Sequence, residues 1–221
     1  MTPGEPLVRW GWIAGHADEI ALRVGEHVEL TVIAVVIGSV IAFALSLLVL
    51  RYARLERPIV AITGTLYTIP SLALFALLIP YTGLSLLTAE IGLVGYTLLI
   101  LIRNIVGGIR GVPADAREAA LGMGYGRWRL LWQVELPLAL PVIFAGIRIA
   151  TITTIGLVTV TALIGQGGLG YLILIGIQRF FSTALIVGAA LSIALAVAAD
   201  VALVVAQRAL TPWSRAKERN A

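Results

Sequence analysis

The 221 residues contain no cysteine, which excludes disulfides, iron–sulfur clusters and thiolate zinc sites. Histidine is confined to His16 and His27, too few for a histidine-rich metal cluster, so no metal site is expected. Lys217 is the only lysine, and there is no phosphate loop of the form GxxxxGK followed by serine or threonine. The chain therefore cannot supply the lysine of a P-loop ATPase. No serine, histidine and carboxylate set converges in an identifiable motif, which argues against an enzyme. Charge is scarce too. Charged residues make up 13% of the chain, hydrophobic ones 59%, and the mean hydropathy is +0.99, values that water-soluble globular domains do not normally reach. This composition marks an integral membrane protein.

A helix needs about 20 apolar residues to cross the hydrocarbon core. Five such regions occur, near residues 28–50, 59–79, 91–109, 139–163 and 183–207, predicting an all-α polytopic bundle. The net charge of +4 does not mark a nucleic-acid binder, because the arginines are dispersed between apolar spans rather than gathered in one stripe. They report topology instead. Arg51, Arg54 and Arg57, then Arg110, Arg117, Arg127 and Arg129, then Arg208, Arg215, Lys217 and Arg219 lie in connectors and a tail that should face the cytoplasm. The opposite connectors hold only Arg179, and near the start Arg9 and Arg23 are outnumbered by Glu5, Asp18, Glu19 and Glu26. The N-terminus is therefore expected outside and the C-terminus inside. Residues 1–27 lack the pattern of a cleavable signal peptide, so the first span is expected to anchor itself. Trp10, Trp12, Ile13, Ile20 and Leu22 suit either a short interfacial helix or a disordered leader. The expected division is an extracytoplasmic segment over 1–25, one transmembrane domain over 26–210 and a cytoplasmic tail over 211–221.

The polar stretch 117–137, REAALGMGYGRWRLLWQVELP, separates two of the spans. Pro113, Ala114 and Asp115 open a short helix, with the aspartate where the helix dipole favours an anion. Gly122, Gly124 and Gly126 permit a turn with positive φ. A second helix over 127–134 places Trp128, Leu131 and Trp132 at helical spacing, and Leu136-Pro137 is expected to end it. A short amphipathic helix on the inner face of a membrane is the right shape to sit in a groove on a soluble partner. Glu118-Ala119-Ala120, three residues, Gly124, nine residues and then Val134-Glu135-Leu136-Pro137 resemble the cytoplasmic EAA loop of binding-protein-dependent ABC importer permeases. Val134 departs from the usual isoleucine by one methylene on an apolar contact. The competing view is an ordinary basic loop held inside by its arginines.

In the second span Pro70 interrupts Tyr67-Thr68-Ile69-Pro70-Ser71, freeing a carbonyl and kinking the axis. Two readings stay open: a pore-lining bend with Thr68 and Ser71 offering hydroxyls, or a kink packed against neighbouring helices. The stretch TIPSLALFALLIP, together with GQGGLG downstream, is similar to the osmoprotectant branch of these permeases. Gly165, Gly167 and Gly170 also spell GxGxxG, but no strand and no βαβ unit accompanies them, so they predict a tight re-entrant or surface loop rather than a dinucleotide site. Arg148 and Asp200 are charges inside spans, where an unpaired charge is costly. Their similar depth predicts a bracing ion pair, with Arg103 as the competing partner.

The resemblance implies a type I, methionine-importer-like transmembrane fold. It also implies that the chain is a permease subunit, with ATP and magnesium used by separate ATPase subunits and no cofactor bound here. Partners would be two ATPases, a second permease of the same or homologous sequence, an extracytoplasmic solute-binding protein and membrane lipid, with no nucleic acid. The location would be the inner or plasma membrane of a bacterial or archaeal cell. Glu118, Ala119, Ala120, Gly124, Leu136 and Pro137 would form the ATPase-coupling loop, and Tyr67, Thr68, Pro70 and Ser71 part of the path. The expected solutes are glycine betaine, carnitine, choline or proline-type compatible solutes, with an amino acid or a sulfonate as the rival. Aromatic candidates for a quaternary ammonium are few: Tyr67, Phe75, Tyr81 and Tyr96 could line a path, but packing explains them as well. A secondary transporter fits less well, since neither paired repeats nor coupling-ion residues are visible, and a purely structural subunit would need no proline-broken span.

Overall fold

The computed structural model describes residues 6–213, and every regular element among them is helical. The helices are α1 (Trp10–Gly15), α2 (Ala17–Arg51), α3 (Glu56–Thr68), α4 (Ser71–Thr82), α5 (Leu86–Arg110), α6 (Ala114–Gly122), α7 (Arg127–Leu130), α8 (Leu136–Thr161), α9 (Gly170–Gln178) and α10 (Ser182–Leu210). Four stretches are long and apolar enough to cross a membrane: Ala17–Arg51, Leu86–Arg110, Arg127–Ile164 and Ser182–Leu210. A fifth crossing is made by α3 and α4 together, bent by 100° at their break. Glu5, Arg215, Lys217 and Arg219, used above for topology, lie outside the described residues.

Packing shows that the broken pair traverses the bundle. One buried cluster joins Ala42 and Val49 of α2 to Leu101, Ile105 and Ile109 of α5 and to Ala139 and Ile143 of α8. The other joins Leu30 and Ala34, Ala89 and Leu93, and Val158 of the same three helices. Helices α2 and α5 therefore run parallel, with α8 antiparallel to both. Parallel neighbours require the chain between them to return to the starting end. Glu56 opens α3 beside Arg110, whose guanidinium donates to both carboxylate oxygens at 2.7 and 2.8 Å. At the opposite end Phe75 of α4 is fully buried in the second cluster.

Sequence expectations differ from the structure at three places. Helix α2 begins well before the apolar run, because Asp18 and Glu19 occupy its first turn, where the dipole favours anions, and nothing stops the helix between them and the membrane. The second span is broken rather than kinked. Ile69 (φ −66°, ψ 129°) and Pro70 (φ −55°, ψ 132°) are both extended, as a residue preceding proline prefers. The freed carbonyl of Ile69 accepts a hydrogen bond from the Tyr96 hydroxyl, so the cost of the break is offset within the bundle. Finally, Leu136-Pro137 does not end the helix of the polar loop. After α7 the chain forms a π-helical turn, Leu131–Glu135, and continues into α8. Proline in a regular helix clashes with the carbonyl four residues back, and the wider π turn immediately ahead of Pro137 relieves that clash, so the helix passes through.

The N-terminal segment is an ordered helix packed on the bundle. The backbone N–H of Arg9 donates to Thr183 Oγ1 at 3.0 Å, and the Ser182 hydroxyl donates to Leu7 O at 2.9 Å.

Candidate functional site

The polar loop folds as a helical hairpin at the end of the bundle where α2 finishes and α3 starts. Its spacing has a concrete origin in how α6 ends. Gly124 adopts φ +80°. Its N–H donates to Leu121 O at 2.9 Å, and the next N–H, of Tyr125, donates to Ala120 O at 3.0 Å. This is the Schellman arrangement, in which a left-handed residue lets two successive N–H groups satisfy the last carbonyls of a helix. Ala120 is buried (1% exposed) and anchors the turn, so the four-residue interval from Ala120 to Gly124 is the geometry of a helix C-terminus.

Ion pairs and ring contacts brace the hairpin internally, and contacts to Ile109 and Phe43 hold it to the bundle. Arg117 donates to Ile109 O, and its Nε lies 2.9 Å from Glu135 Oε1. Arg129 lies 4.2 Å over the Tyr125 ring and donates to Gln133 Oε1 at 2.9 Å. Trp132 packs on Phe43 of α2 with centroids 6.0 Å apart. Opposite these anchors, Glu118 and Ala119 are exposed, flanked by Leu121, Met123 and Trp128, also exposed. The Glu118 side chain makes no hydrogen bond or ion pair among the described residues. A free carboxylate among exposed apolar side chains is the kind of surface that suits a protein partner. Beside it a cavity of about 1010 Å³ is lined by Arg51, Arg110, Arg117 and Arg127 with Trp128 and Leu131. Leu136 and Pro137 are half-buried where the hairpin joins α8 and do not belong to that face.

Tyr67, Thr68, Pro70 and Ser71 gather at the break in the second span. Tyr67 meets Tyr96 edge to face at 5.9 Å, and Pro70 is exposed. The Thr68 hydroxyl donates to Thr65 O at 2.7 Å, so its proton is committed to its own helix, whereas the half-buried Ser71 hydroxyl has no such bond among the described residues. Arg148 donates from Nε to Asp200 Oδ1 at 2.8 Å and from a terminal nitrogen to Oδ2 at 2.9 Å, a bidentate pair joining α8 to α10. Arg103 lines a small cavity with Glu56 and Arg110 instead.

Sequence reasoning did not assign Glu26 and His27 a task beyond the outer charge balance. They clasp the glycine loop of residues 165–170. Glu26 accepts from the backbone N–H of Gly168 at 2.8 Å and is paired with Arg23 at 3.0 Å. His27, wholly buried, accepts from the N–H of Leu169 at Nδ1 (3.2 Å) and donates from Nε2 to Ile155 O (3.0 Å), which fixes a neutral tautomer. Gly165 (φ +78°) and Gly168 (φ +80°) make the turn. A Cβ on Gly167 would lie 1.9 Å from the Glu26 carboxylate, so these glycines serve close backbone approach. A glutamate-histidine pair just before an apolar run was the available signal, since buried polar groups there need partners.

The apolar crossings, with a polar helical hairpin on one end, define an integral membrane subunit. Residues 34–215 match the family model of the binding-protein-dependent transport system inner membrane component, and the chain belongs to that family. It is 37% identical over 197 residues to the glycine betaine/carnitine/choline transport system permease protein OpuCB of Bacillus subtilis (strain 168), covering 89% of this chain and 91% of that protein. It is 39% identical over 197 residues to the choline transport system permease protein OpuBB of the same organism, with the same coverage. The osmoprotectant import permease protein OsmW of Salmonella typhimurium is 37% identical over 206 residues, covering 91% of this chain and 96% of that protein. The fold is shared with an inward-facing structure of the MetNI methionine ABC transporter (TM-score 0.76, 24% identity, 87% of this chain and 96% of that one). It is also shared with an amino acid ABC transporter (TM-score 0.76, 17% identity, 91% and 98%).

Proposed function

We propose that this permease subunit carries quaternary-ammonium compatible solutes, such as glycine betaine, carnitine or choline, across the inner membrane of the cell. The observation that carries this reading is the similarity of nearly the whole chain to relatives named for those solutes. Two copies, or this chain and a homologue, would enclose the path, with Tyr67, Thr68, Pro70 and Ser71 contributing the broken span to it. Separate ATPase subunits would bind ATP and magnesium, dock on the face around Glu118 and Ala119, and pull the hairpin when they close. Ala120 and Gly124 set its angle; Leu136 and Pro137 transmit the movement into α8. An extracytoplasmic binding protein would deliver solute to the other end. Residues 26–210 form the transport domain in this reading, with 1–25 outside and 211–221 in the cytoplasm. The test is uptake of radiolabelled glycine betaine, carnitine and choline in cells with and without the gene, before and after osmotic upshift. Gene-dependent accumulation of at least one is expected; accumulation of none, with an amino acid or sulfonate taken up instead, would overturn the solute class.

The orientation rests on Arg51, Arg110, Arg117, Arg127 and Arg208 gathering at one end of the bundle. The absence of cysteine makes a direct test simple, because any introduced thiol is the only one. Tyr81 is 86% and Met123 67% exposed, at opposite ends. A membrane-impermeant maleimide is expected to label Tyr81→Cys in intact cells and Met123→Cys only after permeabilisation. The reverse pattern would invert the topology.

A further inference from the structure

At the end of the bundle opposite the hairpin, α1, the start of α2, α9 and the turn into α10 surround a cavity of about 460 Å³. Small-molecule pockets fall in this size range. Three of its walls are aromatic: Trp12, Tyr171 and Phe181. Trp12 and Phe181 meet edge to face with centroids 5.1 Å apart, and His16 stacks on Trp12 at 4.4 Å while donating from Nδ1 to Trp12 O at 2.8 Å. Two of the rings already accept cations from the protein itself, Arg23 lying 3.8 Å over Tyr171 and Arg9 5.4 Å over Phe181. Charges of both signs line the same space, Glu19 from the first turn of α2 and Arg179 from the end of α9. Neither side chain makes an ion pair or hydrogen bond among the described residues. A carboxylate and a guanidinium that share a cavity without touching leave both charges available to a ligand.

We propose that this cavity is a receiving site for a small zwitterion bearing a quaternary ammonium, on the permease itself. The ammonium lies against Trp12, whose ring attracts a cation that cannot donate hydrogen bonds, with Glu19 supplying the opposing charge, while Arg9 keeps the Phe181 ring. The carboxylate takes the planar fork of Arg179. The site rests on the compatible-solute reading above and adds to it an order of preference. Glycine betaine and carnitine, which carry a carboxylate, are held by both halves of the site, whereas choline is held by one.

The test is equilibrium binding of radiolabelled glycine betaine to the full-length chain, purified in nanodiscs with whatever subunits accompany it but without a binding protein, alongside uptake in cells. Saturable binding is expected, displaced by carnitine and about tenfold less well by choline. Trp12→Ala is expected to weaken binding about tenfold, and Trp12→Phe, which keeps a ring, to recover most of it. Arg179→Gln should weaken betaine binding about tenfold and leave choline binding unchanged, abolishing the preference. A merely structural role for Arg179 would move both ligands together. Should Trp12→Ala fail to accumulate in the membrane, the Arg179→Gln comparison decides, since that residue is exposed on a turn. Absence of saturable binding, or binding indifferent to Arg179→Gln, in a chain whose cells still accumulate betaine would overturn the site and leave the solute class intact. Cells that accumulate none of the three solutes would overturn the solute class itself.

Discussion

Gly124→Val is expected to reduce both solute uptake and transport-stimulated ATP hydrolysis about tenfold while the protein still inserts in the membrane. The reason is backbone strain. No atom lies within 4 Å of where a Cβ would stand, so steric collision plays no part. At φ +80°, however, a β-branched residue is strained by about 1–3 kcal/mol, and the hairpin relieves that strain by giving up its left-handed cap. The two N–H bonds to Ala120 and Leu121 would then be lost, and α7 would leave α6 at a different angle. A series of substitutions distinguishes this cause from loss of a contact. Asparagine tolerates the left-handed region and should retain most activity, alanine less and valine least. ATPase assays on reconstituted transporter would establish the order; valine behaving like glycine would defeat the idea that the elbow transmits force.

Breaking the Arg148–Asp200 pair is the second large effect. The buried residues of α10 are Thr183, Ala184, Gly188 and Ser192, all in its first half. Farther along, Ile193, Val197, Val201 and Val205 are exposed, and the bidentate pair ties this half of α10 to α8 among the described residues. Removing one partner leaves the other as an uncompensated charge at membrane depth. Arg148→Gln and Asp200→Asn are each expected to lower the amount of assembled permease severalfold, read by quantitative immunoblot of membranes and by melting temperature in detergent. The exchanged pair, Arg148→Asp with Asp200→Arg, should recover part of the loss because the attraction is restored. Normal assembly and uptake in both single variants would refute a bracing role. Lost uptake with normal assembly would instead place the pair in transport.

Both effects involve residues that stand out in the sequence, but they differ in how much of their structural role could be read there. The turn at Gly124 was legible from local spacing, since a helix, a cap and a turn are built from neighbours, but only the folded chain puts the left-handed residue there rather than at Gly122 or Gly126. Arg148 and Asp200 were legible as a candidate pair, but on the ground of similar depth alone and with Arg103 as a rival. Depth follows from counting residues, but each added residue turns a side chain by about 100° around its helix, so which of Arg103 and Arg148 meets Asp200 depends on how three helices are rotated against one another. Pro70 falls between these cases: proline made a disturbance certain, whereas the Tyr96 hydroxyl on a different helix made a complete break tolerable.

What the chain's own residues determined is therefore the membrane class, the five apolar crossings, the arginine-rich end and the hairpin with its glycine cap. Hydropathy, net charge and helix capping are properties of contiguous residues and need no partner from afar. The tertiary structure alone decided the clasp of Glu26 and His27 on the glycine loop, the passage of the helix through Pro137, and the cavity where Trp12 faces Phe181. These depend on residues far apart in sequence or on a widened helical turn, and a single sequence carries no record of which faces meet. Their positions follow from the way the membrane-crossing helices share one interior, where each buried polar group must find its partner on another segment.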